Sequence, residues 1–174
     1  MIQKALIIPT GDEMKAGIVL DTDSPMIMQN ILKLNPLCSV TRRSPVEDKE
    51  DNIVNTIKES VEKGYDFIVL IGGSGGGHRF SSTLGKDFTH SSLELLLENK
   101  HATELYGKNG HLWSKLLVGT IQKTVVLNVP GPYREAEAAI SAFCDIYPEH
   151  ETDFSAINQA MSAAVRAQYG DRAL

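Results

Sequence analysis

Cysteine is scarce in this chain. Cys38 and Cys144 are the only two, both in apolar surroundings, which argues against a disulfide framework and fits free thiols in a reducing cytoplasm. The histidines His90, His101, His111 and His150 show no metal-ligand spacing, so a structural zinc site is not expected either. A basic surplus is also missing. A net charge of -5 excludes general binding to nucleic acid or to an anionic membrane, while leaving room for a local pocket that takes a small anion. No apolar run approaches the roughly 18 residues of a membrane span. Met1-Ile2-Gln3-Lys4 leads straight into a strand with no signal-peptide pattern, so a cytoplasmic location is expected. Repeats and low-complexity linkers are lacking, so the 174 residues read as one domain large enough to bury a core, with 153–174 as a C-terminal helical extension.

What is present is a regular alternation of elements. Ala5 to Pro9 reads as a buried strand ending in Thr10-Gly11-Asp12-Glu13. Ser24-Pro25 reads as an N-cap and first helical proline, with Met26, Ile27, Ile31 and Leu34 at helical spacing and Asn35-Pro36 as the stop. A short strand over Leu37 to Thr41 is followed by a helix opened by Val46-Glu47-Asp48. That helix carries Ile53, Val54, Ile57 and Val61 on one face and stops at Gly64. Phe67 to Ile71 is the third strand. Ser81 to His90 reads as loop and Leu93 to Leu97 as helix. Between His101 and Ile121 a short extended piece and a helix holding Trp113, Leu116 and Leu117 are expected. Thr124 to Val129 is a strand, Pro130-Gly131-Pro132 opens a helix through Cys144, and a last helix runs from Asp153 to about Tyr169. Its Ile157, Met161 and Val165 face either the core or a neighbouring subunit.

This order predicts an α/β fold, a three-layer, doubly wound, mostly parallel sheet with helices on both faces. Right-handed crossovers then bring the strand ends at Thr10, Ile71 and Val129 to one edge, where three polar or glycine-rich turns line a crevice.

The richest of those turns is Gly72-Gly73-Ser74-Gly75-Gly76-Gly77, directly after the third strand. A backbone without Cβ atoms can approach a ligand closely and present several N–H groups to an anion. Gly72 and Gly77 have the separation of a Walker loop, but His78 and Arg79 replace its lysine and hydroxyl. The dinucleotide fingerprint fails because His78 stands in the place of its third glycine. Gly72 to Gly76 also matches the nucleophile elbow, with Ser74 as nucleophile and Asp145 and His150 in hydrolase order. Five residues between acid and base is short for that geometry, and three further glycines start a helix poorly. A merely flexible turn is the plain alternative, although five glycines carry a large entropy cost for that purpose.

Read together, the turns resemble the molybdopterin-binding domain family. Thr10-Gly11-Asp12-Glu13, Gly17 and Asp21-Thr22-Asp23-Ser24 look like the family's first segment, and Val46-Glu47-Asp48 like its acidic turn. Gly72-Gly73-Ser74-Gly75 and Val125 to Pro132 look like its glycine turn and its final strand with Leu-Pro-Gly. The order and spacing hold over about Lys4 to Cys144. The resemblance implies a doubly wound, frequently trimeric domain in molybdenum cofactor biosynthesis, holding molybdopterin in this crevice. In the family's adenylyltransferases, magnesium-ATP donates AMP to molybdopterin.

Carried over residue by residue, the resemblance places Asp48 and Asp12 as catalytic groups. It makes Thr10, Gly11, Glu13, Gly72, Gly73, Ser74, Gly75, Gly76, Gly77, Pro130, Gly131, Pro132 and Arg134 ligand-binding residues. Magnesium is the implied ion, and molybdopterin or ATP the implied ligand. The departures are specific. Phe80 stands where the family places an aspartate, with Asp87 the nearest later acid. Lys49 takes the second acidic place. The final turn reads Pro130-Gly131-Pro132-Tyr133 without a small polar residue, Arg134 being the candidate anion contact.

The resulting reading is a molybdopterin-binding-like protein that takes a pterin or nucleotide phosphate at the glycine turn, with adenylyl transfer put in question by Phe80. The alternatives are an active magnesium-dependent molybdopterin adenylyltransferase, a serine hydrolase using Ser74, and a nucleotide pyrophosphatase like the similar domain of competence/damage-inducible protein A. Trp113 and Tyr106 read as packing residues, with pterin stacking as the lesser alternative. The expected partners are a small anionic molecule and further copies of the chain, without nucleic acid or membrane.

Overall fold

The computed structural model describes residues 1–75 and 87–170. Gly76, Gly77, His78, Arg79 and Phe80 therefore lie outside the described residues. Six strands form one sheet in the order β2-β1-β3-β6-β5-β4, namely β1 Lys4–Pro9, β2 Ser39–Arg42, β3 Phe67–Ile71, β4 Glu98–Tyr106, β5 Leu112–Ile121 and β6 Thr124–Val129. The first four in that order run parallel, with Pro9 beside Ile71 and Ile71 beside Val129. The strands β6, β5 and β4 pair antiparallel, so the sheet is mixed.

Among the described residues, six α-helices complete the layers: α1 Asp12–Lys15, α2 Asp23–Leu34, α3 Glu50–Glu62, α4 Thr89–Leu96, α5 Tyr133–Ile146 and α6 Phe154–Ala167. Side chains alternate across β3. Phe67, Val69 and Ile71 join the core under α2, α5 and α6, while Ile68 and Leu70 join the core under α3 and α4. A strand buried on both faces reads as one unbroken apolar run, as β3 does in the sequence. The Phe67 and Phe143 rings stack at 4.8 Å and fasten α5 to the middle of the sheet.

The segment from His101 to Ile121 corrects the expectation of a helix. Trp113, Leu116 and Leu117 belong to β5, and 98–106 is its antiparallel partner. Leu116, Leu117 and Val118 are all buried, and such a short apolar run has no period that separates strand from helix. The edge strand β4 is exposed at most positions, so it shows no apolar alternation. Gln122 closes the hairpin to β6 at φ 56, a left-handed turn made without the usual Asn-Gly.

Buried asparagines tie these elements together. Asn128 accepts the Leu117 N–H at 2.7 Å and donates to the Lys115 carbonyl at 2.9 Å, continuing the β5–β6 contact where the strands diverge. Asn158 of α6 donates to the carbonyls of Leu116 and His101 at 3.0 and 3.3 Å. With Phe154, Ile157, Met161 and Val165 buried in the same core, α6 is an integral layer over the antiparallel half of the sheet.

Two helix starts also differ from expectation. Residue Thr22 caps α2, and the Asp21 Oδ1 accepts the Ser24 N–H at 3.0 Å; Pro25 still sits in the first turn, where its missing N–H costs nothing. Val46 to Asp48 precede α3, because Val46 pairs with Thr10 in an isolated parallel bridge. Cys38 is buried and Cys144 half-buried, both as free thiols. No described helix is long and apolar enough to cross a membrane.

Candidate functional site

Chain direction around the sheet locates the site. After β1 the chain crosses to β2 on one side, and after β3 it crosses to β4 at the far edge of the other side and returns through β5 to β6. The carboxyl ends of β1 and β3 thus flank a topological switch point, where the diverging connections leave a crevice. A cavity of about 600 Å³ lies there.

Three turns are clamped around it. The Thr10 and Gly72 N–H groups donate to the carbonyls of Ile71 and Val129 at 2.9 and 3.1 Å. Thr10 is buried, and its hydroxyl proton goes to the Ile71 carbonyl at 2.9 Å. Its oxygen must therefore accept from the Thr89 hydroxyl, 2.8 Å away. Thr10 thus acts by fixing the turn. Gly72 and Gly73 have φ 86 and 60, and a Cβ on Gly73 would lie 2.9 Å from the Thr89 Cβ and closer still to its Oγ1. Gly131 lies beside Gly72, and a Cβ on it would make an ordinary 3.7 Å contact with the Gly72 Cα. Gly72 and Gly73 are required by their left-handed backbone and by the close approach of the Thr10 carbonyl to the one and of Thr89 to the other.

The N–H groups of Gly73, Ser74 and Gly75 find no acceptor among the described residues. The Ser74 side chain is buried and accepts from the Ser114 hydroxyl at 3.1 Å, while its carbonyl accepts from the Lys115 N–H at 2.7 Å. A hydrolase triad is not assembled. Asp145 lies near the far end of α5, a helix of 14 residues and so about 21 Å long that starts at the crevice. His150 follows it, beside Glu151, which binds the N-terminal amine at 2.8 Å near the opposite edge of the sheet.

Charge is the feature that the turns alone did not reveal. The charged side chains among the described lining residues are Glu13, Asp21, Asp23, Asp48, Asp87 and Glu135, with no lysine or arginine. Arg134 is exposed and outside that lining. Asp48 joins two loops: its N–H donates to the Asp12 Oδ1 at 3.0 Å, and its Oδ1 accepts the Phe88 N–H at 3.1 Å. Burial pushes its carboxyl up to about 6; the Phe88 bond opposes this, and the charges of Asp87 and Asp12 add to it. Asp12 itself is exposed and serves as the acceptor for Asp48.

Asp23, 6% exposed, is likewise raised to about 6 by burial, against a bond from Thr22. Burial also raises Asp21, but bonds from Ser24 and Arg42 outweigh it and hold the carboxyl below its ordinary value; the Arg42 Nε lies 2.7 Å from its Oδ2. Asp87 stands at the glycine turn, its Oδ2 3.0 Å from where a Cβ on Gly75 would lie. Among the described residues no group of three acidic, histidine or cysteine side chains is arranged to hold a metal ion. Pro130, Gly131 and Pro132 line the cavity, and Pro132 caps α5.

Residues 6–149 match the family model described as "Probable molybdopterin binding domain". The chain belongs to this family. A "Molybdenum cofactor biosynthesis bifunctional protein" of Chlorobaculum tepidum is 27% identical over 143 residues, 79% of this chain and 44% of that protein. A "CinA-like protein" of Anaeromyxobacter sp. (strain K) is 36% identical over 69 residues, 40% of this chain and 16% of that protein. The chain thus spans less than half the length of these curated relatives. The solved structure of the molybdopterin biosynthesis enzyme MoaB from Thermus thermophilus superposes with a TM-score of 0.65 at 20% identity. That match covers 91% of this chain and 98% of the other. This likeness supports the mixed six-stranded α/β fold. The C-terminal α6 lies beyond the family-matched residues.

Proposed function

We propose that this molybdenum-cofactor-biosynthesis-type domain binds molybdopterin or an adenine nucleotide at the β1–β3 switch point, with its phosphate against the Gly73–Gly75 backbone. The observation that carries the proposal is the glycine turn, whose residues line a cavity of about 600 Å³ and whose Gly73 to Gly75 N–H groups have no acceptor among the described residues. A phosphate is the ligand group best suited to a row of backbone donors.

The acidic lining implies that the phosphate enters with a counter-cation. Carboxylates at Asp48 and Asp87 suit magnesium, a hard ion that prefers oxygen, and Glu13 adds a third acid to the lining. The lack of a ready-made cluster among the described residues fits an ion held by one or two carboxylates plus the substrate's own phosphates. Magnesium would neutralise phosphate charge, while the protein's own groups fix its position. Asp48 and Asp12 are the acids set for adenylyl transfer in this reading.

Self-association, with a trimer as its expected form, and a cytoplasmic setting belong to the same proposal. The exposed Ile18 and Leu20, at 77% and 83%, supply apolar surface for contact between copies.

Anaerobic equilibrium dialysis with molybdopterin and magnesium tests the binding reading. Gly75→Leu should weaken retention by at least about tenfold, because its side chain must compete with Asp87 and the ligand for one space. Asp48→Asn, which preserves side-chain shape, should weaken magnesium-dependent retention without unfolding the chain. Failure of the folded wild-type protein to retain the ligand would overturn the proposal.

A further inference from the structure

The glycine turn is held through its carbonyls. The Gly73 carbonyl accepts the His90 N–H at 3.3 Å, from the first turn of α4. The Ser74 carbonyl accepts the Lys115 N–H at 2.7 Å, from β5. In a planar trans peptide the C=O and the N–H of the next residue point in opposite directions. The bond from α4 therefore aims the Ser74 N–H, and the bond from β5 aims the Gly75 N–H. Neither of these donors has an acceptor among the described residues. A hydrogen bond on the carbonyl also polarises the peptide and strengthens its N–H as a donor.

The aim of both groups thus depends on how α4 sits against β5. Leu93 and Leu117 bring the two elements together in the core under α3 and α4. Apolar contact is non-directional, so it leaves them free to slide. A charged link supplies the direction. The Lys115 ammonium lies 2.6 Å from the Glu94 Oε1 on α4 and 2.9 Å from the Glu104 Oε1 on β4. Glu94 above all holds that ammonium above its ordinary value, against the effect of burial. The Tyr106 hydroxyl donates to the other oxygen of Glu104, and the Lys100 ammonium donates to the Glu94 carbonyl. Lys115, Glu94 and Glu104 all stand outside the lining of the crevice.

We infer that Lys115 is a positioning residue for the phosphate turn: its bond to Glu94 locks α4 against β5 and so keeps the Ser74 and Gly75 N–H groups in aim. The inference rests on the phosphate reading above and adds an ion pair, outside the crevice, that sets the affinity of the turn.

Field and positioning act in opposite directions at Glu94. If its charge were all that mattered, removing it would tighten the binding of an anion. If it locks the two elements, removing it weakens that binding. Calorimetric titration with magnesium pyrophosphate, a net anion, separates the two. Glu94→Ala should bind it about fivefold more weakly than the wild type, as expected for one charged hydrogen bond. Glu104→Ala removes the same charge from β4, which does not join α4 to β5, and should stay within about twofold. Lys115→Met should weaken binding about tenfold, and Lys115→Arg should recover it to within about threefold. Adding Glu94→Ala to Lys115→Met should cause no further loss, because the bond is already gone. The Glu94 side chain is 43% exposed, so its truncation leaves the core intact, and thermal unfolding checks that each variant is folded.

A folded Glu94→Ala variant that binds as tightly as the wild type, or more tightly, would overturn the positioning role while leaving the phosphate reading intact. Equal losses from Glu94→Ala and Glu104→Ala would do the same. If the folded wild type does not bind magnesium pyrophosphate, the phosphate reading fails and the inference with it.

Discussion

Replacing Gly73 by alanine tests whether the three turns are as tightly joined as their hydrogen bonds indicate. The residue sits at φ 60, where an alanine costs about 1 kcal/mol more than glycine. Its new Cβ would lie 2.9 Å from the Thr89 Cβ, and Thr89 is fully buried. Moving Thr89 away costs about 1–3 kcal/mol in overpacking. It also breaks the buried bond to Thr10, worth about 1 kcal/mol. The expected destabilisation is therefore about 3–5 kcal/mol, read as a shift in the urea midpoint at unchanged slope. In a Thr89→Ala background the hydroxyl obstacle is gone, so the same substitution should cost about 1–2 kcal/mol less. A loss under about 0.5 kcal/mol for Gly73→Ala, or an identical loss in both backgrounds, would refute the packing account.

Three further outcomes follow from the same structure. Asp48 carries a carboxyl raised by burial from 3.8 to about 6, so the folded chain keeps a proton that the unfolded chain releases across that window. Its contribution to stability is greatest below about pH 4, falls as pH rises to about 6, and is flat above. Asp48→Asn should remove its share of the fall in urea stability between those values and leave the share of Asp23, which is raised alike; parallel curves for wild type and variant would contradict it. Asn128→Leu leaves the Leu117 N–H and the Lys115 carbonyl without their side-chain partner, and should cost about 2–4 kcal/mol by chemical denaturation. Asn158→Ala should release α6 from the β4–β5 hairpin, seen as faster amide hydrogen exchange at both, while β1 and β3 keep their protection.

Much of the parallel half of the sheet was legible because its strands are buried on both faces and end in punctuated turns. Phe67 to Ile71 occupies β3 as read, and Thr10, Ile71 and Val129 meet at one edge. The hairpin from Glu98 to Ile121 was not legible. Its outer strand is too exposed to alternate, and its turn into β6 uses Gln122-Lys123 instead of a glycine signal. The site was legible as a backbone feature, through the glycines at 72, 73 and 131. Its side-chain chemistry depended on packing. Asp87 reaches the glycine turn from downstream in sequence, and Tyr169, far along the chain, lines the same cavity. Arg134 follows the final turn in sequence, yet helical rotation at the start of α5 puts Glu135 in the cavity lining and Arg134 outside it.

The central claim is that a phosphate lies against the backbone of Gly73 to Gly75. A crystal structure of the protein with molybdopterin and magnesium tests it most directly. The account predicts phosphate oxygens within about 3 Å of at least two of those N–H groups. Magnesium should bridge the phosphate to Asp48 or Asp87. A ligand bound away from the β1–β3 crevice, or in it with its phosphate turned from the glycines, would contradict the account.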